Sequence, residues 1–292
     1  MILWYNIATF YEGGNVMKDL KIVTFTSTRK HGQMNPAPAF YPEGMEKNER
    51  KRLMNINKQS LMDEIGLSYK NIFIPTQKNN DKSPDLYEDG YCYTLTKEDA
   101  EKYDDLYEFD KNADIVKLTP DNKNIAIAYP IADCAVVKAV NLKTNEVVMA
   151  HCGGEYIDRY LPMQTIDALG GKENDIRVYI SPFAYSLFYA DATNLNWANN
   201  DDVWKKYKEY KESDGKTSVK INIITPLLEQ LQNRKIKLKH IHLGADINHT
   251  DMYYSNSRRY TDPTFAGRCL SGIAIIDNDK KVRESDYVKV IR

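Results

Sequence analysis

Three apolar, β-rich runs follow one another between residues 124 and 151: NIAIAY (124–129), AVVKAV (135–140) and EVVMAH (146–151). Runs of this length and composition read as strands. Only a short polar stretch, with Thr144-Asn145 as its turn, joins the second to the third. That arrangement predicts a hairpin, which brings its two open ends together. Residues 134 and 151 flank those ends, so the chain must fold around a sheet that places them near each other.

Strands and helices alternate around this centre. KIVTFT (21–26), NIFIP (71–75), IRVYI (176–180), LKHIHL (238–243) and GIAII (272–276) read as further strands. The clearest helix covers residues 46–65, where Leu53, Ile56, Leu61 and Ile65 form a rough apolar stripe and Gly66 supplies the cap. Residues 97–107, 156–169 and 224–232 read as helices too. The pattern predicts an α/β (mixed α+β) fold, with a central mixed sheet flanked by helices. No repeat, low-complexity tract or linker divides the chain, so residues 17–292 read as one domain. Met17 begins MKDLKIVTFTSTRK like a natural start, which sets residues 1–16 apart as an extension or the product of an upstream start.

Composition excludes several functions. The 40 basic and 41 acidic residues give a formal charge of −1, so no global field draws nucleic acid or an acidic membrane. The remaining local basic patch is Arg258, Arg259 and Arg268. Cys92, Cys134, Cys152 and Cys269 form no CxxC pair, which fits reduced thiols in a cytoplasm. No apolar stretch of about 20 residues predicts a membrane span.

Common catalytic signatures such as GxGxxG, the Walker A loop, GxSxG and HExxH are absent. His240 and His242, two apart in a predicted strand, would share one face, where such pairs bind metal or sit half-buried. The informative constellation is IADCAVV followed by VVMAHCGGE. Cys134 follows Asp133, and His151 comes 17 positions later at the end of the hairpin. An imidazole beside a thiol can hold it as thiolate, a nucleophile. The same pair can ligate zinc with a third ligand. The bland alternative is a buried cysteine beside a satisfied histidine. Gly153 and Gly154 would let a substrate approach the backbone.

The pattern ADC, then histidine in AHxG, resembles the YfiH family, also called peptidoglycan editing factor or laccase-domain proteins. FTSTRKHG is similar to that family's FSTRxGG, and NINKQSLMDEIGL to its NRxxLxxxLGL helix. FIPTQKN sits where the family has a strand ending in QxH. VYISPFAYSLFY resembles aIGPxIgxxxYEV, and YYSNSRRYTDPTFAGRCLSGIAII resembles the closing FFSYRRDxxTGRxasxI. The matches keep their order from about residue 22 to 277.

The resemblance implies a zinc-type site made by one Cys and two His. It also implies activity on purine nucleosides (phosphorolysis or deamination) or on peptidoglycan precursors. Cys134 and His151 match two ligands. Asn79, in Gln77-Lys78-Asn79, stands where the third is expected, and asparagine is a poor zinc ligand. The family's late CT pair falls near Ala245-Asp246, and its Trp and Arg after AHxG are missing. His31, in Arg29-Lys30-His31-Gly32, is the candidate replacement ligand. The related deamidases, CheD and the cytotoxic necrotizing factors, use a metal-free Cys–His pair on glutamine side chains.

The expectation is therefore an enzyme that breaks a C–N bond of a small molecule, a nucleoside or an amide. Cys134, His151 and Asp133 form its catalytic centre, and zinc is a cofactor with an incomplete ligand set. Arg29, Gln77, Asn79, Arg258, Arg259 and Arg268 are candidates for binding substrate, the arginines through paired hydrogen bonds to phosphate or carboxylate. Nucleic acid and membrane are not expected partners. The competing class is a binding protein that kept the fold and lost the metal.

Overall fold

The computed structural model describes residues 19–75, 91–102, 113–195, 197–198 and 200–291. Two mixed sheets dominate. In spatial order, the first holds β14 (Val288–Ile291), β1 (Leu20–Thr26), β13 (Cys269–Asp277), β5 (Ile125–Ile131) and β2 (Ile72–Phe73). The second holds β12 (Ile241–Leu243), β8 (Ile176–Ile180), β6 (Ala135–Asn141), β7 (Glu146–Cys152), β4 (Ile115–Leu118) and β3 (Cys92–Thr94). A small antiparallel sheet, β10 (Lys208–Ser213), β11 (Lys216–Asn222) and β9 (Ser186–Tyr189), flanks the second.

The side-chain alternation of β6 explains why two sheets form rather than the single central sheet expected. Val136 and Val140 join Ile127 and Ile131 of β5 and Ile273 and Ile275 of β13 in one buried cluster, so this face of β6 packs on the first sheet. Ala135, Val137 and Ala139 point the other way, among Ile166, Leu169, Leu227 and Leu231 of helices α4 (Leu161–Leu169) and α6 (Ile224–Asn233). A strand apolar on both faces needs a cover on each. The first sheet is covered in turn by helix α1 (Lys47–Asp63), through Leu61 and Met62. The layers run helix, sheet, sheet, helix. β5 and β6 are neighbours in sequence but lie in different sheets, and residues 132–134 carry the chain between them.

The predicted hairpin is β6–β7, in antiparallel register with Val136 opposite His151 and Ala135 opposite Cys152. Gly66 ends the first helix region at φ 73°, a conformation cheap only for glycine. The predicted helix over 156–169 is instead two. Helix α3 (Gly154–Asp158) stops short of Tyr160, whose φ of 61° breaks the chain before α4, with Pro162 in its first turn. The run 238–243 is also divided. His240 closes a 3-10 turn and is buried, whereas His242 lies on β12, exposed and stacked on Tyr179 at 4.4 Å between centroids. The two histidines do not share a strand face. Among the described residues, no helix is long and apolar enough to cross a membrane.

Candidate functional site

The crossing 132–134, the end of β7 and the start of β13 come together at one end of the two sheets. Cys134 directly precedes β6. Continuing the register by one residue sets it across from Gly153, and a Cβ built on Gly153 would lie 3.2 Å from the Cys134 sulfur. His151, directly opposite Val136, then lies diagonally from Cys134 on the same sheet face. Diagonal neighbours of an antiparallel pair are within reach of a ring and a thiol. The glycine pair thus serves packing rather than substrate approach. Gly153 leaves room for the thiol, and a Cβ on Gly154 would meet the Trp197 ring at 2.4 Å.

Aromatic rings line the place. His151 sits 5.7 Å from Tyr129 and 6.5 Å from Tyr156, centroid to centroid. Trp197 packs edge-on to Trp204 at 5.3 Å, and its indole N–H donates to the Tyr189 hydroxyl at 3.0 Å. Neither Tyr189 nor Trp197 was legible as a site residue. Trp197 lies in a polar segment without a motif, and only the fold returns that segment to Gly154.

Cys134 and His151 each keep part of their surface exposed, but protein crowds their polar groups on the remaining sides. Loss of hydration pushes the Cys134 thiol up to about 12, with Asp133 adding to the rise and the Arg268 charge opposing it. Burial, then the Arg268 charge, pushes His151 down to about 4. The resting site therefore holds a neutral thiol and a neutral imidazole. This differs from the expected thiolate–imidazolium pair, because neither charged form gains enough from its neighbours to offset dehydration. Burial likewise raises the other three thiols, Cys92 to about 11 and Cys269 to about 12.

Asp133 has another job than catalysis. Its Oδ1 accepts from Ser255 Oγ at 2.7 Å and from the Asn256 N–H at 3.1 Å, and its Oδ2 accepts from the Ser257 N–H at 2.7 Å. The carboxylate ties the 255–257 loop to the strand crossing and so sets the position of Cys134.

The four candidate arginines separate. The Arg268 charge acts on both Cys134 and His151, while the guanidinium lies 5.0 Å from the Phe40 ring and donates to the Gly267 carbonyl at 2.8 Å. Arg259 adds a second positive charge near Arg268 and stacks on exposed Tyr260. Arg258 lies 3.6 Å from the centre of the Phe265 ring, donates to the Thr250 and Ile247 carbonyls, and pairs with Asp251 at 2.7 Å. Arg29 lies against the same ring at 4.3 Å and donates to the Asp251 carbonyl. These last two clamp the 247–251 loop. Gln77 and Asn79 lie outside the described residues.

His31 does not join the pair. Its Nδ1 accepts from the Thr28 N–H at 3.1 Å, and its Nε2 faces the Glu64 carboxylate at 3.5 Å. Its ring meets Tyr287 edge-on at 5.1 Å. Both nitrogens are engaged, which corrects the expectation of a replacement ligand. Among the described residues, no group of three or more His, Cys, Asp or Glu is placed to hold a metal. Within the described residues, Cys134 and His151 beside an arginine charge fall short of the three-ligand zinc site that the resemblance implies.

The cavity lined by Lys21, Asn278, Lys280, Lys281 and Val290 lies at the far edge of the first sheet and holds none of these residues.

A layered α/β fold built on two mixed sheets defines the class. The sequence model of the multi-copper polyphenol oxidoreductase laccase family matches residues 23–276, and the chain belongs to that family. Its fold is similar to that of the hypothetical protein YfiH of Bacillus licheniformis, at TM-score 0.60 and 16% identity, covering 87% of this chain and 92% of that one. YlmD of Geobacillus stearothermophilus aligns at TM-score 0.59 and 16% identity, over 87% and 91% of the two chains. The Neisseria meningitidis protein NMB0706, of family DUF152, aligns at 0.55 and 15%, over 89% and 95%. No curated protein matches the sequence.

Proposed function

We propose that the chain is a YfiH-type enzyme acting on the C–N bond of an amide or amidine, the 6-amino group of a purine nucleoside included. The reading rests on one observation. The β6–β7 register, continued by one residue, sets Cys134 diagonally from His151, and the Arg268 charge acts on both. A neutral imidazole is the form that can accept a proton, and a neutral thiol is the form that must give one up. His151 takes the thiol proton as the sulfur bonds to the sp2 carbon, so charge appears only during attack. Arg268 faces the negative charge that then develops. The proton returns to the departing nitrogen, the C–N bond breaks, and water, deprotonated by His151, releases the product from sulfur. The rings of Tyr129, Tyr156, Tyr189 and Trp197 suit a flat, base-like substrate.

The family's description names a copper laccase, and the donors here favour no such centre. A blue-copper site needs two His and a Cys on one metal. This chain has five histidines, and the four besides His151 are placed elsewhere. Four free thiols fit a reducing compartment, the cytoplasm.

The test is release of ammonia from adenosine and from a glutamine peptide, and release of free base from inosine with inorganic phosphate would contradict the amide or amidine reading. Turnover of adenosine or of the peptide should fall about 1,000-fold in Cys134→Ser and in His151→Ala. Tight binding without turnover would instead make the chain a binding protein.

A further inference from the structure

Three contacts lead from the thiol to a second polar group. Gly153 abuts the Cys134 sulfur, the adjacent Gly154 abuts the Trp197 ring, and the Trp197 N–H donates to the Tyr189 hydroxyl at 3.0 Å. Tyr189 sits at the end of β9, which pairs with β11 through Val219, and Val219 is fully buried. The ring is held by a strand and not by a mobile loop. Trp197 is held too, packed on Trp204, whose own indole N–H donates to Asp158 at 2.6 Å.

The hydrogen bond from Trp197 has a direction. An indole N–H only donates, so it fills an acceptor site on the Tyr189 oxygen and leaves the hydroxyl proton to be donated elsewhere. No hydrogen bond from that hydroxyl to another described residue is present, though the ring is half-buried. The hydroxyl is also close enough for the charges of Cys134 and Asp133 to act on it.

We propose that Tyr189 is a further catalytic residue, whose hydroxyl, oriented by Trp197, donates a hydrogen bond to the oxygen or nitrogen of the group that Cys134 attacks. The proposal rests on the Cys134–His151 reading. As sulfur bonds to a carbonyl or amidine carbon, the electron pair of the double bond moves onto its heteroatom. A fixed donor there stabilises the transition state more than the ground state. Trp197 is a positioning residue in this scheme, acting only through Tyr189.

Two reagents separate the roles. p-Nitrophenyl acetate acylates a thiol. The S–C bond forms, the carbonyl oxygen gains charge, the thiol proton passes to His151, and p-nitrophenolate leaves with its electron pair. Iodoacetamide alkylates the same sulfur by displacing iodide from a methylene carbon, and no charge develops on its oxygen. In the full chain, Tyr189→Phe should slow acylation of Cys134 about tenfold or more and leave alkylation within about twofold. Trp197→Phe should move acylation the same way by less. Peptide mapping assigns the label to Cys134, and thermal melts show whether each variant is folded. Equal slowing of both reactions in folded Tyr189→Phe would mean a packing role and overturn the proposal. Unchanged acylation would overturn it alone, leaving the Cys134–His151 reading intact. A wild-type Cys134 that reacts with neither reagent would remove both.

Discussion

Cys134, just before β6, and Lys138, within it, stand four residues apart, and burial perturbs the ionisation of both. Their fates differ. Lys138 lies in the middle of β6, 2% exposed, where burial pushes its ammonium down to about 7. Its Nζ donates to Ser271 Oγ at 3.1 Å and reaches the Phe25 carbonyl at 3.5 Å, so the first sheet closes over it. Cys134 lies just before the strand, at the crossing from one sheet to the other, and Gly153 leaves space beside the sulfur. Lys138 is sealed between the sheets, whereas Cys134 keeps part of its surface exposed. A shifted pKa marks a site when it comes with access, and a packing constraint when it does not.

Breaking the support beneath Cys134 should have the largest effect on stability. Asp133→Asn exchanges an acceptor for a donor facing N–H and O–H groups, and should cost about 2–4 kcal/mol in urea unfolding. It should also loosen the 255–257 loop, seen as faster amide exchange at Asn256 and Ser257. A cost under about 0.5 kcal/mol would show that the clamp is decorative.

The closed region is sharpened by pH. The folded-state pKa of Lys138, about 7, is depressed from 10.5, so the unfolded chain binds one more proton between those values. Stability is therefore lost as pH falls from about 10.5 to about 7 and levels off below. Between pH 7 and 8.5, this lysine should add about 2 kcal/mol to the unfolding free energy. Lys138→Met should remove that increment, which the difference between the two proteins isolates from other titrating groups. Parallel pH curves would place the ammonium in a better-solvated setting.

A smaller effect is expected from Gly154→Ala. The new methyl group meets the Trp197 ring, which must shift. A cost of about 1–2 kcal/mol is expected, with altered tryptophan fluorescence. An unchanged spectrum and melting point would mean that Trp197 does not lie against the glycine.

The β6–β7 hairpin was legible because strand period and a short turn are local properties. The helix at α1 was legible for the same reason. What lay beyond was non-local. KEYKES, β10, carries four charges in six residues and offers no apolar period. The signal passed over was Asp214-Gly215, both at positive φ, which closes it onto β11 as a hairpin. Asp133 was read as catalytic from its place beside Cys134, yet its partners come from residues more than 120 positions away. Arg268 could not be told from Arg29 and Arg258 by sequence, since all three sit among turn residues. Phe265 and Asp251 claim the latter two only in the folded chain.

The central claim is that the Cys134–His151 pair is neutral at rest and separates charge only on attack. The measurement is the rate of Cys134 alkylation by iodoacetamide between pH 5 and 10, read by peptide mapping. A thiol pushed up to about 12 predicts a rate that is still climbing at pH 10, as free thiolate adds to the attack assisted by His151. A plateau with its inflection between pH 5 and 8, lost in His151→Ala, would reveal a standing thiolate–imidazolium pair and contradict the account.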